Sequence, residues 1–456
     1  MHQSANSPGS PAAVNVGFLS RFFDFAGHGT TARREVVGGL TTFAAMAYIL
    51  AVNPLILSKT GMDAGALVTA TAFSAALMTC VLALLTNYPI ALAPGMGLNA
   101  FFTFTICLQK QVPWQAALGL VFYSGVIFFL LSVTGARKQL VAAIPREFKL
   151  AITCGIGLFI AFIGMKNGNL VVADPATFVT VGKLSSPECL LVILGIITTA
   201  IGISRKIPGA VIINIVALTI IDIVMHEFFH VGDPVKLPGS PIALPNSLAP
   251  LFLQLNFGWF WHHLADALPL VFAILFVDLF DNMGTLIGVC HRAGLLDEHG
   301  HLPKIGQAFA ADACAAMIGS CLGTSTVTSY IESAAGVEAG GRTGLTSLTT
   351  ATCFLLSLVF TPLILLIPDV ATAPALIIIG IFMLQSAAKM DLGDFTKAAP
   401  AFVAIMTMPL TFSISEGVAL GLLVHVGLQV GLGRARTVSP VLYILTVLFL
   451  LHYFIK

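Results

Sequence analysis

Residues 87–104 read NYPIALAPGMGLNAFFTF, and this segment is the most informative one in the chain about its fold. It is apolar enough to lie inside a membrane, yet Pro94-Gly95 and Gly97 interrupt any continuous helix. Irregular backbone at membrane depth is tolerated only where protein buries it or where it borders a cavity. The stretch therefore predicts a broken membrane segment beside a binding site.

The composition of the whole chain agrees with a membrane location. Hydrophobic residues make up 57% of the 456 residues and charged residues only 9%, whereas a soluble domain carries roughly 25% charge. So few charges cannot cover a water-exposed surface, so we expect an all-α polytopic protein that faces lipid. The net charge of +1 gives no reason to expect a nucleic-acid partner. The eight cysteines lack metal-site spacing, and no metal or cofactor is expected.

A crossing of the bilayer needs about 20 apolar residues, and the chain contains about fourteen such segments. In the first half they are predicted at 36–57, 66–86, 89–107, 114–134, 148–165, 187–204 and 208–228. In the second half they are predicted at 264–290, 306–322, 324–338, 344–367, 371–388, 398–412 and 415–432. A last apolar stretch, 439–455, is left open as a span, an interfacial helix or an extra packed helix.

Seven segments in each half force the halves to insert in opposite directions, which is typical of inverted-repeat transporters. The predicted organisation is a cytoplasmic tail (1–35), a first repeat (36–228), an external connection (229–260), a second repeat (261–432) and a C-terminal apolar segment (433–456).

The basic residues predict the orientation in the membrane. With a cytoplasmic N-terminus, every Arg falls inside, and Lys456 alone is unassigned. The basic residues left outside are Lys59, Lys110, Lys166, Lys183 and Lys236. This is the distribution that the positive-inside rule describes, and it predicts a multi-pass protein of the cell inner (plasma) membrane.

The tenth predicted segment, GTSTVTSYIESAAG at 323–336, occupies the same place in the second half as the broken third segment does in the first. It is short, rich in Thr and Ser, and contains Ser329 and Glu332. Interrupted segments at matching positions point to a substrate site where the repeats meet.

Three carboxylates within predicted spans single out the chemistry of this site. Asp278 and Asp281 are three residues apart in VFAILFVDLFDNMGTL (271–286), so they share one helix face with Thr285, and Glu332 lies in the tenth segment. A charge at the bilayer centre costs about 2.5–3.5 kcal/mol on insertion scales. The alternative is that each carboxylate only bonds a neighbouring Ser or Thr.

Asn99 is the polar residue of the third segment, and Phe101 follows it closely. Asn99 is a candidate substrate ligand, with interhelical hydrogen bonding as the alternative. Phe101 is a candidate stacking platform for a planar substrate, with plain packing as the alternative, because the chain contains 33 Phe residues.

Several motifs resemble those of a known family. AxGMGLNAFF in the third segment, FxDxFDxxGTL in the eighth and TSxxTSYIESAAG in the tenth resemble the AzgA-like branch of the nucleobase/ascorbate transporter (xanthine/uracil permease) family. The resemblance extends from RREVVGGLTTFAAMAYILAVNP (33–54) to MPLTFSISEGVALG (408–421). That branch comprises hypoxanthine, guanine and adenine permeases.

The resemblance implies a core of spans 1–4 and 8–11, a gate of spans 5–7 and 12–14, and short strands in spans 3 and 10. It also implies proton-coupled uptake, with binding carboxylates at the Asp278/Asp281 pair and Glu332 and a polar position at Asn99. Which Asp contacts substrate stays open, as does a homodimer formed through the gate domains. The same three carboxylates are the candidates for proton coupling, because burial favours the protonated form of a carboxylic acid.

Two other functions compete with a purine permease. His226, Glu227 and His230 match the zinc-protease pattern HExxH, but they fall at the end of the seventh span without an obvious third ligand. An anion carrier of the same architecture is disfavoured because acidic side chains would repel an anion. No nucleotide-binding motif is present, so a secondary transporter is expected rather than an enzyme.

Overall fold

The computed structural model describes residues 18–135, 144–229, 238–296 and 302–455, most of which are helical. Ten helices in these ranges are long and apolar enough to cross a membrane, and a shorter apolar helix covers Met96–Gln109. The predicted fold class, a largely helical polytopic membrane protein, is confirmed.

The first half follows the predicted segments in order. Its elements are α1 (Phe18–Phe22), α2 (Ala32–Met46), α3 (Ile49–Leu57), α4 (Ala64–Thr86), β1 (Leu92–Pro94), α5 (Met96–Ala100), a π-helix (Phe101–Gln109), α6 (Trp114–Thr134), α7 (Arg146–Asn167), β2 (Val171–Asp174), β3 (Phe178–Val181), α8 (Pro187–Ser204) and α9 (Ala210–Phe229). The β2–β3 hairpin was not predicted from the sequence.

The second half repeats this plan. Its elements are α10 (Gly258–His262), α11 (Leu264–Arg292), α12 (Ile305–Leu322), β4 (Val327–Ser329), α13 (Ser333–Glu338), α14 (Gly344–Ser357), α15 (Thr361–Ile364), α16 (Asp369–Leu384), α17 (Phe395–Thr411), α18 (Ile414–Gly431) and α19 (Pro440–Ile455). The last helix packs against α18 and α11, a contact that is compatible with each of the three alternatives that the sequence left open.

Both short strands follow a helix that ends in left-handed backbone. Asn87, at φ 64°, ends α4, and its side-chain oxygen accepts the first N–H of α14, from Gly344, at 2.8 Å. Gly323, at φ 86°, ends α12 in the same way. A left-handed residue stops the helix and satisfies its last carbonyls, so the chain can turn sharply into a strand.

The strands pair with each other across the two halves. β1 and β4 are antiparallel, with Ala93 opposite Thr328 at the centre of the ladder. Further hydrogen bonds extend both ends, from Tyr330 N–H to Ala91 at 3.0 Å and from Gly95 N–H to Thr326 at 2.9 Å. The short strands expected in segments 3 and 10 are therefore present, and an antiparallel pair of this kind fits a two-fold axis between the repeats.

Helices of the first half also pack against helices of the second half. α4 packs on α14, and the equivalent helices of the opposite halves, α12 and α6, pack on each other. α7 and α16, which are equivalent to one another, also form a pair. This pattern is what an inverted repeat of seven plus seven segments requires.

The helices separate into two groups that match the expected core and gate. The group formed by α7, α8, α9, α16, α17 and α18 makes most of its contacts within itself. The helices α7 and α16 cross closely at the centre of this group, where both residues at the contact are glycines. A Cβ on Gly380 would lie 2.5 Å from the backbone oxygen of Gly157. The two groups meet at segments 3 and 10, which we define as residues 88–109 and 324–338.

Ion pairs join ends that were predicted to lie on the same side of the membrane. The pairs are Lys59–Asp369 at 3.2 Å, Lys110–Glu416 at 3.9 Å and Arg292–Glu338 at 2.9 Å. Residues 1–17 of the predicted tail, and the basic residues Arg137, Lys138 and Lys236 used to predict the orientation, lie outside the described residues.

Candidate substrate-binding site

The strand pair is held rigidly by side-chain hydrogen bonds from neighbouring helices. Thr79 on α4 bonds both the N–H and the carbonyl of Leu92, at 2.8 and 3.1 Å. Ser347 on α14 donates to the carbonyls of Tyr88 and Ile90, and Ser333 accepts from Ala91 N–H at 3.0 Å. Backbone polar groups inside a membrane must find such partners, so these hydroxyl groups make the irregular segments tolerable there.

A cavity lies where the strands give way to helices α5 and α13. Its empty space is about 490 Å³, open solvent at the mouth included. Its lining comes from both helix groups and consists of Tyr48, Gly95, Met96, Gly97, Asp281, Thr285, Ser329, Tyr330, Ile331, Glu332, Ile379, Phe382 and Met383.

Two carboxylates dominate the chemistry of this cavity. Asp281 comes from the middle of α11, and Glu332 comes from the turn between β4 and α13. No Lys or Arg is among the described lining residues. The Glu332 carboxylate accepts a hydrogen bond from the Tyr48 hydroxyl at 2.5 Å. The site therefore offers strong hydrogen-bond acceptors to a ligand that brings donors.

The cavity brings together four of the residues singled out in the sequence: Asp281, Thr285, Ser329 and Glu332. Ser329 is buried and donates its hydroxyl to Asn282 Oδ1 at 2.6 Å, which ties segment 10 to α11. Thr285 lies one helical turn beyond Asp281. All four residues therefore line the same cavity.

The other three predicted site residues do not line the cavity. Asn99 is fully buried, and its side-chain oxygen accepts a hydrogen bond from Ser325 in segment 10. Phe101 is fully buried in the hydrophobic core. Asp278 is 1% exposed. Asn99 and Ser325 link the two segments from behind the cavity, as interhelical hydrogen bonds do.

The sequence analysis missed several lining residues. Tyr48 lies at the break between α2 and α3, and Ile379, Phe382 and Met383 come from α16 in the opposite helix group. A phenol within the apolar run AMAYILAVNP was the available signal for Tyr48, whereas three apolar residues in an apolar helix give none. Asp312, a buried carboxylate of the second half, was also missed; it accepts a hydrogen bond from the Thr328 hydroxyl at 3.3 Å.

The zinc-protease pattern gains no support. His226 and Glu227 belong to the end of α9, and His230 lies outside the described residues. Among the residues that the structure describes, no group of three or more His, Cys, Asp or Glu side chains could hold a metal ion.

Solved structures share the architecture of this chain. The transmembrane domain of a cyanobacterial bicarbonate transporter, BicA, superimposes with a TM-score of 0.62 at 17% identity, covering 85% of this chain and 97% of that one. The murine anion transporter Slc26a9 in its inward-facing state gives a TM-score of 0.64 at 13% identity, covering 94% and 74%. At this identity the likeness concerns the fold alone, and the fold is that of a seven-plus-seven membrane transporter.

Sequence comparison identifies the family. The model of the xanthine/uracil permease family, described as "Permease family", matches residues 33–420. The chain belongs to this permease family, as its motifs predicted, and it is therefore a multi-pass membrane transporter and not an enzyme.

Two relatives align over nearly their whole length. The adenine permease AdeP of Escherichia coli (strain K12) is 42% identical over 435 residues, covering 95% of this chain and 96% of the relative. The guanine/hypoxanthine permease PbuG of Bacillus subtilis (strain 168) is also 42% identical, over 449 residues, covering 95% and 99%.

Proposed function

We propose that this protein takes up purine nucleobases together with protons, with guanine and hypoxanthine as the main substrates and adenine as a further candidate. The observation that carries the proposal is the cavity that places Asp281 and Glu332 on one surface without a basic residue among its described lining. The full-length similarity to permeases named for adenine and for guanine/hypoxanthine supports the substrate class.

The chemistry of a purine base fits such a lining. A purine base presents ring N–H donors and, in guanine and adenine, an exocyclic amine in the same plane, and an ionised carboxylate can accept hydrogen bonds from two such donors. Thr285 and Ser329 add hydroxyl groups that donate or accept, while Phe382 and Met383 offer apolar surface for the flat ring. An anion would instead meet two acidic groups and be repelled.

A comparison of two carboxylates in the structure supports a binding function for Glu332. Glu35 is fully buried, and its side chain accepts hydrogen bonds from Thr30, Arg342 N–H, Thr343 N–H and Thr346, which satisfy both oxygens. Among the other residues that the structure describes, Tyr48 alone donates a side-chain hydrogen bond to the Glu332 carboxylate. Glu332 thus keeps acceptor capacity for a ligand.

Proton coupling follows from the cost of leaving a carboxylate unpaired when the cavity closes. A buried, unpaired charge costs several kcal/mol, so a carrier with an ionised and empty site would not reorient. Binding a proton together with the substrate removes that cost. Asp281 and Glu332 line the cavity and are the preferred proton carriers, while the buried Asp278 is the weaker candidate.

Alternating access is proposed to move the core against the gate around this site. The lining supports this view because α16 belongs to one helix group, while α11 and segments 3 and 10 belong to the other. We retain the predicted repeats (36–228 and 261–432), the external connection (229–260), the cytoplasmic N-terminus and a plasma-membrane location as parts of the proposal.

The test is uptake by cells that lack their own purine permeases. We expect radiolabelled hypoxanthine to accumulate, guanine to compete strongly and uracil not to compete; adenine, which lacks the N1–H of a 6-oxopurine, tests the importance of that donor. Bicarbonate uptake in the same cells examines the anion alternative. Competition by uracil at concentrations where hypoxanthine is inactive would overturn the substrate assignment.

A further inference from the structure

Tyr48 occupies an unusual place in the first half of the chain. It lies at the break in the first span, after Met46 ends α2 and before Ile49 begins α3. The helix resumes there through a hydrogen bond from Val52 N–H to the Tyr48 carbonyl at 3.0 Å. The side chain is 2% exposed, yet it borders the cavity. Buried tyrosine hydroxyls usually have a hydrogen-bond partner, and the partner of this one is a carboxylate.

The partner of Tyr48 lies in the other repeat. The Tyr48 hydroxyl donates to Glu332 Oε1 at 2.5 Å across a sequence separation of 284 residues. Glu332 stands at the N-terminal end of α13, where its side chain makes no capping hydrogen bond. The phenol is therefore the contact that fixes this carboxylate from outside its own segment.

A second tyrosine beside the cavity has a different partner. The Tyr330 hydroxyl donates to the carbonyl of Pro94 at 2.5 Å, so it joins strand to strand. The Tyr48 hydroxyl instead bonds a side chain that itself faces the cavity. Its removal would leave the strand pair intact and release only the carboxylate.

We infer that Tyr48 is a positioning residue for substrate binding: it holds one oxygen of Glu332 so that the other is presented to the substrate. This inference rests on the proposed function. A carboxylate held in one orientation loses less side-chain freedom when the ligand binds, which raises affinity. The hydrogen bond is present before substrate arrives, so its loss should weaken binding more than it slows the carrier.

The test is Tyr48→Phe, which removes the hydroxyl and keeps the ring. We expect the KM for hypoxanthine to rise roughly ten- to a hundredfold, as for a lost hydrogen bond to a charged group, with maximal uptake within about twofold of wild type. The matched control is Tyr88→Phe, because Tyr88 is buried, does not line the cavity, and its hydroxyl has no hydrogen-bond partner among the described residues. That control should behave like wild type.

A double-mutant comparison on purified protein separates positioning from a general effect. In the Glu332→Gln background, Tyr48→Phe should change the Kd for hypoxanthine by less than about twofold, because the group that Tyr48 orients is already altered. If Tyr48→Phe is not inserted in the membrane, Tyr48→Met, which keeps apolar volume, takes its place with the same expectations.

The possible failures are distinguishable. If wild-type protein neither binds nor transports purines, the proposed function fails. If wild type transports purines and Tyr48→Phe leaves the KM unchanged, or lowers only maximal uptake, the positioning inference is wrong. An equal loss of affinity in the wild-type and Glu332→Gln backgrounds would also overturn it, since Tyr48 would then act independently of Glu332.

Discussion

Segments 3 and 10 have the same backbone plan but carry different side chains. Each follows a helix that ends in left-handed backbone, contributes a three-residue strand to the same ladder, and continues into a helix. After its strand, segment 3 continues with Gly95, Met96 and Gly97, whereas segment 10 continues with Tyr330, Ile331 and Glu332. The third residue beyond the strand is thus a glycine in one half and a carboxylate in the other.

The difference shows how a symmetric backbone can hold an asymmetric ligand. Gly97 allows close approach to the other helix group, since a Cβ there would lie 2.5 Å from Ile156 Cγ2 on α7. The second half supplies both acids of the cavity, Asp281 and Glu332. We interpret the first half as providing space for the substrate and the second half as providing the acidic groups. Tyr48 is the exception, since it is a polar residue of the first half that lines the cavity.

The largest expected effect comes from removing the charge of segment 10. Glu332→Gln is almost isosteric but replaces one acceptor oxygen with an amide donor that faces the donors of the substrate. Uptake should be nearly abolished, because each disrupted buried hydrogen bond costs on the order of 1–3 kcal/mol. Initial rates of hypoxanthine uptake at matched membrane abundance measure this.

The control for this change is Glu338→Gln in the same segment. Glu338 is exposed and pairs with Arg292 at 2.9 Å, a surface ion pair of small energetic value. It should transport like wild type. Uptake by Glu332→Gln within twofold of wild type would show that Glu332 is only structural.

Asp281, the other acid of the cavity, provides a test of proton coupling. Asp281→Asn imitates a permanently protonated side chain, so it should bind purine and exchange it across the membrane. It should not accumulate purine against a gradient, because a proton no longer has to travel with the substrate. Both activities can be measured in proteoliposomes with an imposed pH gradient, with a protonophore collapsing wild-type accumulation.

Asp278→Asn is the comparison for this change, since Asp278 is buried in the same helix but does not line the cavity. We expect it to keep more concentrative uptake than Asp281→Asn. Full accumulation by both variants would remove the pair from the coupling mechanism and leave Glu332 as the candidate.

An intermediate effect on uptake is expected from enlarging Gly97 in segment 3. Gly97→Ala places a methyl group against Ile156, and overpacking of this kind costs typically about 1–3 kcal/mol. Hypoxanthine uptake should fall roughly tenfold, which corresponds to about 1.4 kcal/mol. Combining it with Ile156→Ala, which removes the obstructing Cγ2, should restore part of the activity.

Gly288→Ala is the matched control, because a Cβ at this glycine of α11 would meet nothing within 4 Å. It should leave uptake unchanged. Equal activity of Gly97→Ala and Gly288→Ala would contradict the view that segment 3 serves by being small.

The smallest effect on transport is expected behind the cavity. Ser325→Ala removes the donor to Asn99 and leaves a buried amide oxygen without it, which costs about 1–3 kcal/mol of stability. The melting temperature of the purified protein should fall by a few degrees while the KM changes less than about twofold. A KM raised as far as in Tyr48→Phe would instead assign Asn99 to substrate binding.

The architecture could be predicted from local features of the sequence. Length and hydropathy predicted the segments because a helix must bury its backbone over the full thickness of the bilayer. Pro94-Gly95 and the Thr- and Ser-rich run before Glu332 marked the broken segments, since neither suits a straight helix. The motifs then predicted the permease family, which comparison with known proteins confirmed.

The set of side chains that line the cavity could not be predicted in this way, because it depends on contacts between distant elements. Spacing places Asp278 and Asp281 on one helix face, but their surroundings differ, and Asp281 alone of the two lines the cavity. Tyr48 bonds Glu332, which is 284 residues away in the sequence. The apolar residues that α16 contributes to the lining cannot be told apart, in the sequence, from the many other apolar residues of the chain. Helical periodicity orders neighbours along one element, whereas a binding site depends on contacts between elements that no local pattern records.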